Sequence, residues 1–286
     1  MVAAAIGQLP ATVTFWLGRR VGDLAWFGLA RRRRIALANL ALAFPDLSPA
    51  EHRRIGRAAA QHLGLVAVEV CRALGKPPDR VAAAIEVVGL DHLKETMATY
   101  GRAIAVTAHL GNWELLPLAC HAHGFPLSII ARPLEAAWLD TVMRRFRGAG
   151  GTEVIDKRNA ARPVLDALRR GRLVAILLDQ NASRREGVFV PMFGRPASTS
   201  RGVAMLAMRT GTPIVPLFTH RIAPGRHVVT VQPPVLPLDG PLDDGIVRLT
   251  AACTAAIESA VRHAPEQWLW MHARWRTQPA GTPPTS

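Results

Sequence analysis

The sequence predicts an α/β fold, a mixed, largely parallel sheet flanked by helices, with an N-terminal helical layer ahead of it. Short apolar runs of strand length recur along the chain, helical patterns lie between most of them, and an apolar stretch followed by arginines precedes them all. With 286 residues the chain can bury a core without disulfide or metal staples. A hydrophobic content of 49% and a charged content of 20%, with a mean hydropathy of +0.14, exclude a disordered chain and leave apolar surface that can meet lipid.

The stretch from Met1 to Gly18 carries no charge but contains Gln8, Pro10, Thr12 and Thr14. It falls short of the roughly 20 apolar residues of a bilayer span. A secretory signal would place its basic residues first, whereas here Arg19, Arg20 and Arg31 to Arg34 follow the apolar run. Residues 1–47 therefore read as a membrane-associating helical segment whose apolar face dips into the cytoplasmic leaflet while arginines meet anionic headgroups. An ordinary first helix with a solvated charged face is the competing reading. Ser48 with Glu51 three positions on opens a helix that runs through Val70 and ends near Gly75 and Pro77-Pro78.

After Ile85 to Val88 and a short helix around Asp91 to Tyr100, buried strands are expected at Ala103 to Thr107, Leu127 to Ile130, Thr152 to Ile155, Leu173 to Leu178, Ile214 to Phe218 and Val228 to Val231. Helical patterns at Leu115 to His123, Leu134 to Arg147, Ala160 to Arg170 and Arg201 to Thr210 alternate with them. Residues 48–277 form this α/β domain, and residues 278–286, rich in Pro, Gly and Thr, read as a disordered tail. The segment Gly187 to Ser200 is unusually apolar for a connection and either lines an acyl-chain groove or plugs the core.

Lysine and arginine number 35 against 21 acidic residues, a formal charge of +14, and Lys76, Lys94 and Lys157 are the only lysines. An arginine excess suits an anionic partner: phospholipid, phosphorylated substrate, acidic carrier protein or nucleic acid. Cys71, Cys120 and Cys253 are far apart in helical-looking stretches with no CxxC pair, which argues against a disulfide framework or structural zinc. The chain has no GxSxG, Walker A, GxGxxG or HExxH motif. Serine hydrolase, nucleotide-dependent and zinc-protease chemistries thus lack support, and no metal or cofactor is expected.

The strongest local signal is Ala108-His109-Leu110-Gly111-Asn112-Trp113-Glu114, directly after the first buried strand. His109 falls at the strand end, Gly111 and Asn112 permit a tight turn, and Glu114 lands where the chain can fold back onto the imidazole. A neutral imidazole can then take a proton from a hydroxyl while a carboxylate fixes its tautomer. The same spacing also fits a histidine held by a backbone carbonyl and a glutamate capping a helix. Arg132-Pro133 closes a second strand, where the guanidinium either stabilises an oxyanion, binds phosphate, or pairs with Glu135. Asp179-Gln180-Asn181 ends a third, and strand carboxyl ends are where sites gather in such sheets. His121 and His123 read as surface residues. Trp268, Trp270 and Trp275, with Arg274 and Arg276, either bind bases, sit at a membrane interface, or pack in the core.

Taken together, separated segments resemble one family, the lipid A biosynthesis (lauroyl/myristoyl) late acyltransferases within the wider glycerolipid acyltransferase-like superfamily. The resemblance rests on Arg31-Arg32-Arg33-Arg34-Ile35 leading to Asn39-Leu40 and Phe44-Pro45, on His109 to Glu114, Arg132-Pro133, the Asp179 turn, Val188-Phe189-Val190-Pro191, and Ala264 to His272. It implies an enzyme on the cytoplasmic face of the inner membrane. Such an enzyme moves a fatty acyl group from an acyl carrier protein thioester, or a coenzyme A thioester, to a hydroxyl of a lipid A precursor or another glycolipid acceptor. It implies His109 as general base with Glu114 as its partner, and Arg132, Asp179 and Asn112 as substrate-binding residues, in a monomer without nucleic acid. The family usually begins with a longer membrane-spanning helix, so a shortened anchor or an upstream start is expected. A noncatalytic basic protein of membrane surfaces or nucleic acids is the rival, and it leaves the strand-end set of His109, Arg132 and Asp179 unexplained.

Overall fold

The computed structural model describes residues 9–281; the parts of the N-terminal segment and of the expected tail that fall on residues 1–8 and 282–286 lie outside the described residues. Three helices form the N-terminal layer: α1 (Ala11–Gly28), α2 (Ala30–Ala43) and α3 (Pro49–Ala73). A capping box starts α3, with Glu51 N donating to Ser48 Oγ at 3.3 Å and Ser48 N to the Glu51 carboxylate at 2.8 Å. Helix α1 lies against α3 at backbone contact distance, because a Cβ on Gly64 would come within 2.1 Å of the Gly18 carbonyl and one on Gly22 within 2.3 Å of the Ala60 carbonyl. Buried Asp23 pins the pair, accepting from Arg57 at 2.7 Å, Gln61 at 2.8 Å and Arg20 at 3.1 Å. Among the described residues no helix is long and apolar enough to cross a membrane.

The sheet has seven strands: β1 (Ile85–Val88), β2 (Ala103–Thr107), β3 (Leu127–Ala131), β4 (Glu153–Asp156), β5 (Leu173–Leu177), β8 (Ile214–Ala223) and β9 (Arg226–Val231), in the order β1-β9-β8-β2-β5-β3-β4. Pairing is parallel except between β8 and β9, which form a hairpin. Central β2 is buried along its whole length. Its Ile104 and Val106 face a core shared with α2, α9 (Gly202–Thr210) and α10 (Leu242–His263), and its Ala103 and Ala105 face α5 (Leu90–Tyr100) and α6 (Leu116–Ala122). That two-sided burial is why the strand is a continuous apolar run without alternation. Between them, α4 (Pro78–Ala82), α7 (Ala137–Arg147) and α8 (Ala161–Arg169) complete the helical layers.

The apolar segment expected as a loop, Gly187 to Ser200, is instead a hairpin of β6 (Gly187–Met192) and β7 (Arg195–Ser200). Val190, Met192, Phe193 and Ala197 are buried in the main core, so the core-plugging alternative is the one that holds. The turn is Phe193-Gly194, both residues at positive φ (51° and 70°). A bulky residue takes that conformation because its ring is seated against Phe44 (5.2 Å between centroids) and Trp270 (6.0 Å).

Candidate active site

Register brings the site together. Thr107 of β2 stands opposite Leu177 of β5, so His109 and Asp179, each two residues further on, emerge side by side. The His109 Nδ1–H donates to Asp179 Oδ1 at 2.8 Å, and the His109 amide donates to Asp179 Oδ2 at 2.9 Å. The Trp268 indole gives Oδ2 a further hydrogen bond at 2.8 Å. Burial pushes the Asp179 carboxyl up, but the His109 charge and these donors outweigh it and bring it down to about 2. On His109 burial likewise favours the neutral ring, and the Asp179 charge with its hydrogen bond, helped by Glu114, outweighs it to leave the imidazole above its ordinary value. With Nδ1 committed to Asp179, Nε2 is the lone-pair nitrogen, and the exposed Gln180 amide sits 3.4 Å from it.

Glu114, expected to orient His109, is held elsewhere. Arg147 of α7 grips both its oxygens, at 2.6 and 2.8 Å, and the Trp113 indole donates to it at 3.1 Å. The positive-φ turn at Gly111 and the 3₁₀ turn Trp113–Leu115 carry the carboxylate past the Trp113 ring, which itself packs edge-on to His109 at 5.1 Å. Asp179 one strand away is closer to the ring nitrogen than a residue five along the same turn. Glu114 still acts on His109 through its charge. The sequence reading had Asp179 in the site, but not as the histidine's partner, and missed Arg147 altogether; its position in the last turn of an amphipathic helix offered no signal for it.

Arg132 follows the end of β3, next to β5 in the sheet. Continuing the β3–β5 register sets it level with Leu178, about 10 Å and two strands from His109. It is exposed, and among the described residues it makes no ion pair, the expected alternative partner Glu135 included. Asn112, expected among the substrate-binding residues, is fully buried and donates its amide to Glu69 at 2.8 Å. Trp268, Trp270 and Trp275 are all buried, so of the three readings of this stretch core packing is the one the structure bears out. Instead the C-terminal segment braces the His109 turn: Leu269 N donates to His109 O, Gly111 N donates to Gln267 O, both at 3.1 Å. Asn39 of α2 holds that segment by donating to the Trp270 and His272 carbonyls, each at 2.7 Å.

A strand-end histidine whose Nδ1 is held by a buried aspartate is an arrangement that can take a proton at its other ring nitrogen, here faced by the Gln180 amide. Cys120 and Cys253 are buried, which pushes both thiols up to about 12. Residues 1–277 match the family model described as bacterial lipid A biosynthesis acyltransferase, and the chain belongs to that family; it is an acyltransferase. It is 30% identical over 96% of its length to the lipid A biosynthesis lauroyltransferase of Escherichia coli (strain K12), covering 89% of that protein. It is likewise 30% identical over 96% to the palmitoleoyltransferase of the same organism, covering 88% of it. A phosphatidylinositol mannoside acyltransferase of Mycobacterium tuberculosis (strain ATCC 25618 / H37Rv) is 27% identical over 71% of this chain and 62% of its own.

Proposed function

We propose that this acyltransferase moves a fatty acyl group from an acyl carrier protein thioester to a hydroxyl of a lipid A precursor at the cytoplasmic face of the inner membrane. The observation that supports the mechanism is the His109–Asp179 pair, whose Nε2 is faced at 3.4 Å by the exposed Gln180 amide, a side chain that an acceptor hydroxyl can displace. His109 Nε2 takes the acceptor hydroxyl proton as the oxygen attacks the thioester carbonyl, while ionised Asp179 holds Nδ1–H and stabilises the imidazolium. The tetrahedral intermediate collapses to the ester, and the imidazolium proton passes to the departing thiolate. Glu114 with Arg147 sets the second charge beside the ring, and Arg132 serves the oxyanion or an acceptor phosphate. The buried, high-pKa thiols favour direct transfer over an acyl-enzyme.

Membrane association is supported by the outer face of α1, where Val13, Trp16, Leu24 and Phe27 are exposed along one stripe beside exposed Arg19 and Arg20, with Arg31, Arg32 and Arg34 at the start of α2. A docked helix of this kind lies in the interface plane rather than through it. The test is mass spectrometry of lipids from cells carrying no copy, the parent chain or His109→Ala, joined to in vitro transfer from acyl carrier protein and coenzyme A thioesters. An acyl chain on a lipid A species that needs the parent and is lost in His109→Ala is expected. Acylation of a different lipid class alone, or coenzyme A as the better donor, would overturn the acceptor or the donor respectively.

A further inference from the structure

Between the His109 turn, α3 and β8 lies a buried polar chain that proton transfer does not use. Arg221 of β8 pairs two of its three guanidinium nitrogens with Glu69 of α3, Nε to Oε1 at 2.8 Å and a terminal nitrogen to Oε2 at 2.7 Å. Its other terminal nitrogen donates to His62 Nδ1. Burial and the adjacent Arg221 charge hold His62 down to about 3, so the ring stays neutral with its proton on Nε2. That Nε2–H donates to the Gly111 carbonyl at 3.0 Å. Glu69 accepts from the Asn112 amide at 2.8 Å, and Thr219 Oγ1 donates to the Leu110 carbonyl at 2.7 Å. These side chains therefore grip three consecutive residues of the turn that carries the base.

We propose that His62, Glu69, Asn112, Thr219 and Arg221 are positioning residues for His109, acting by fixing residues 110–112, the turn that directly follows it. The turn leaves little room for any other arrangement, since Gly111 stands at φ 58° and a Cβ there would meet the Thr219 carbonyl at 2.1 Å. A buried ion pair gives little stability relative to apolar side chains of the same size, but it fixes directions that apolar packing leaves loose. Displacement of a catalytic group by about 1 Å costs on the order of 100-fold in rate, which gives such fixing a catalytic value. The inference rests on His109 being the base. The charged or titratable groups that face the His109 ring are Asp179, Glu114, Arg147 and His272. None belongs to the chain behind the turn, so its loss reaches His109 through geometry.

Paired variants of the full chain test this. Thr219→Val removes one hydroxyl with almost no change of shape, and Thr219→Ser keeps it; His62→Phe removes both ring nitrogens, and His62→Gln keeps a donor toward Gly111. Thr219→Val and His62→Phe are expected to lower kcat about 10- to 100-fold with KM for donor and acceptor within about twofold. The acid limb of kcat/KM should move to lower pH as the His109–Asp179 bond loosens, and Thr219→Ser and His62→Gln should recover most of the rate. A folded Thr219→Val protein with parental kcat and an unmoved acid limb overturns the proposal, even if its Tm has fallen; should His62→Phe fail to fold, Thr219→Val decides alone. His109→Ala runs beside them: activity there refutes the base itself, whereas an inactive His109→Ala with a parental Thr219→Val refutes only the positioning.

Discussion

The Arg147 guanidinium closes on Glu114 as a fork, Nε to Oε2 at 2.8 Å and a terminal nitrogen to Oε1 at 2.6 Å. Both side chains are largely buried, with 16% and 10% of their surface exposed. A lysine at position 147 supplies the charge but not the fork. Arg147→Lys is therefore expected to lose most of the activity lost in Arg147→Met. Removing either partner leaves a largely buried charge without its hydrogen-bonded counterion, so the losses in Glu114→Gln and Arg147→Met should sum to more than the loss in the double variant, with a coupling on the order of 0.5–3 kcal/mol in kcat/KM. Additive losses would mean that the two residues act separately.

The His109–Asp179 pair fixes the pH behaviour. His109 must be neutral at Nε2 to accept a proton, and its pKa is raised, so activity should fall on the acid side with a limb above the ordinary histidine value of about 6.5. Asp179→Asn removes the charge that raises it, and the limb of the residual activity should move down. Stability follows the same two groups. The raised His109 contributes fully below its unfolded value and loses the contribution as pH rises through its folded one; the lowered Asp179 contributes above its unfolded value and loses it as pH falls through about 2. The Tm difference between parent and Asp179→Asn should thus be largest between about pH 4 and 6.5. A difference that grows steadily toward alkaline pH would contradict the assignment.

The strands were legible because β2 and β5 sit between helical layers and must be apolar throughout, and a run such as Ala103 to Thr107 has few other uses. The strand-end placement of His109, Arg132 and Asp179 was legible, since each follows the end of an apolar run. Their pairing was not, because it depends on the offset between β2 and β5, which neither strand's sequence states. The nearer carboxylate in sequence, Glu114, is the farther one from Nδ1. The three readings of Trp268 could not be told apart for a related reason: its buried indole N–H serves Asp179, a contact that depends on how the C-terminal segment returns to the sheet. The hairpin Gly187–Ser200 hid behind Phe193, whose positive φ comes from its tertiary contacts.

Packing of α1 on α3 predicts a sharp size limit. Gly64→Val would drive side-chain atoms into the Gly18 carbonyl and Gly22 main chain, neither of which can rotate aside. Overpacking of this sort costs typically about 1–3 kcal/mol. Loss should appear as a lower Tm and as protease cleavage within α1, while Gly28→Ala, which meets nothing within 4 Å, should leave both unchanged. Equal protection of α1 in both variants would refute the close helix contact.

Docking to lipid should be separable into an apolar and an electrostatic part. Trp16, Leu24 and Phe27 are 58%, 75% and 62% exposed on the face of α1 turned away from α3, and Arg20 stacks on the Trp16 ring at 5.8 Å. Each arginine near an anionic surface is worth about 1 kcal/mol, a contribution that salt screens. Replacing Arg31, Arg32 and Arg34 with Gln should therefore weaken binding to anionic vesicles on the order of 100-fold at low salt, and less at high salt. Replacing Trp16, Leu24 and Phe27 with Ser should instead weaken binding to neutral and anionic vesicles alike, with little salt dependence, because buried apolar area does not depend on ionic strength. Cosedimentation across a salt series reads both. If the triple Ser variant binds neutral vesicles as well as the parent, α1 is not the lipid-facing element, and exposed Trp138 near the start of α7 becomes the surface to test.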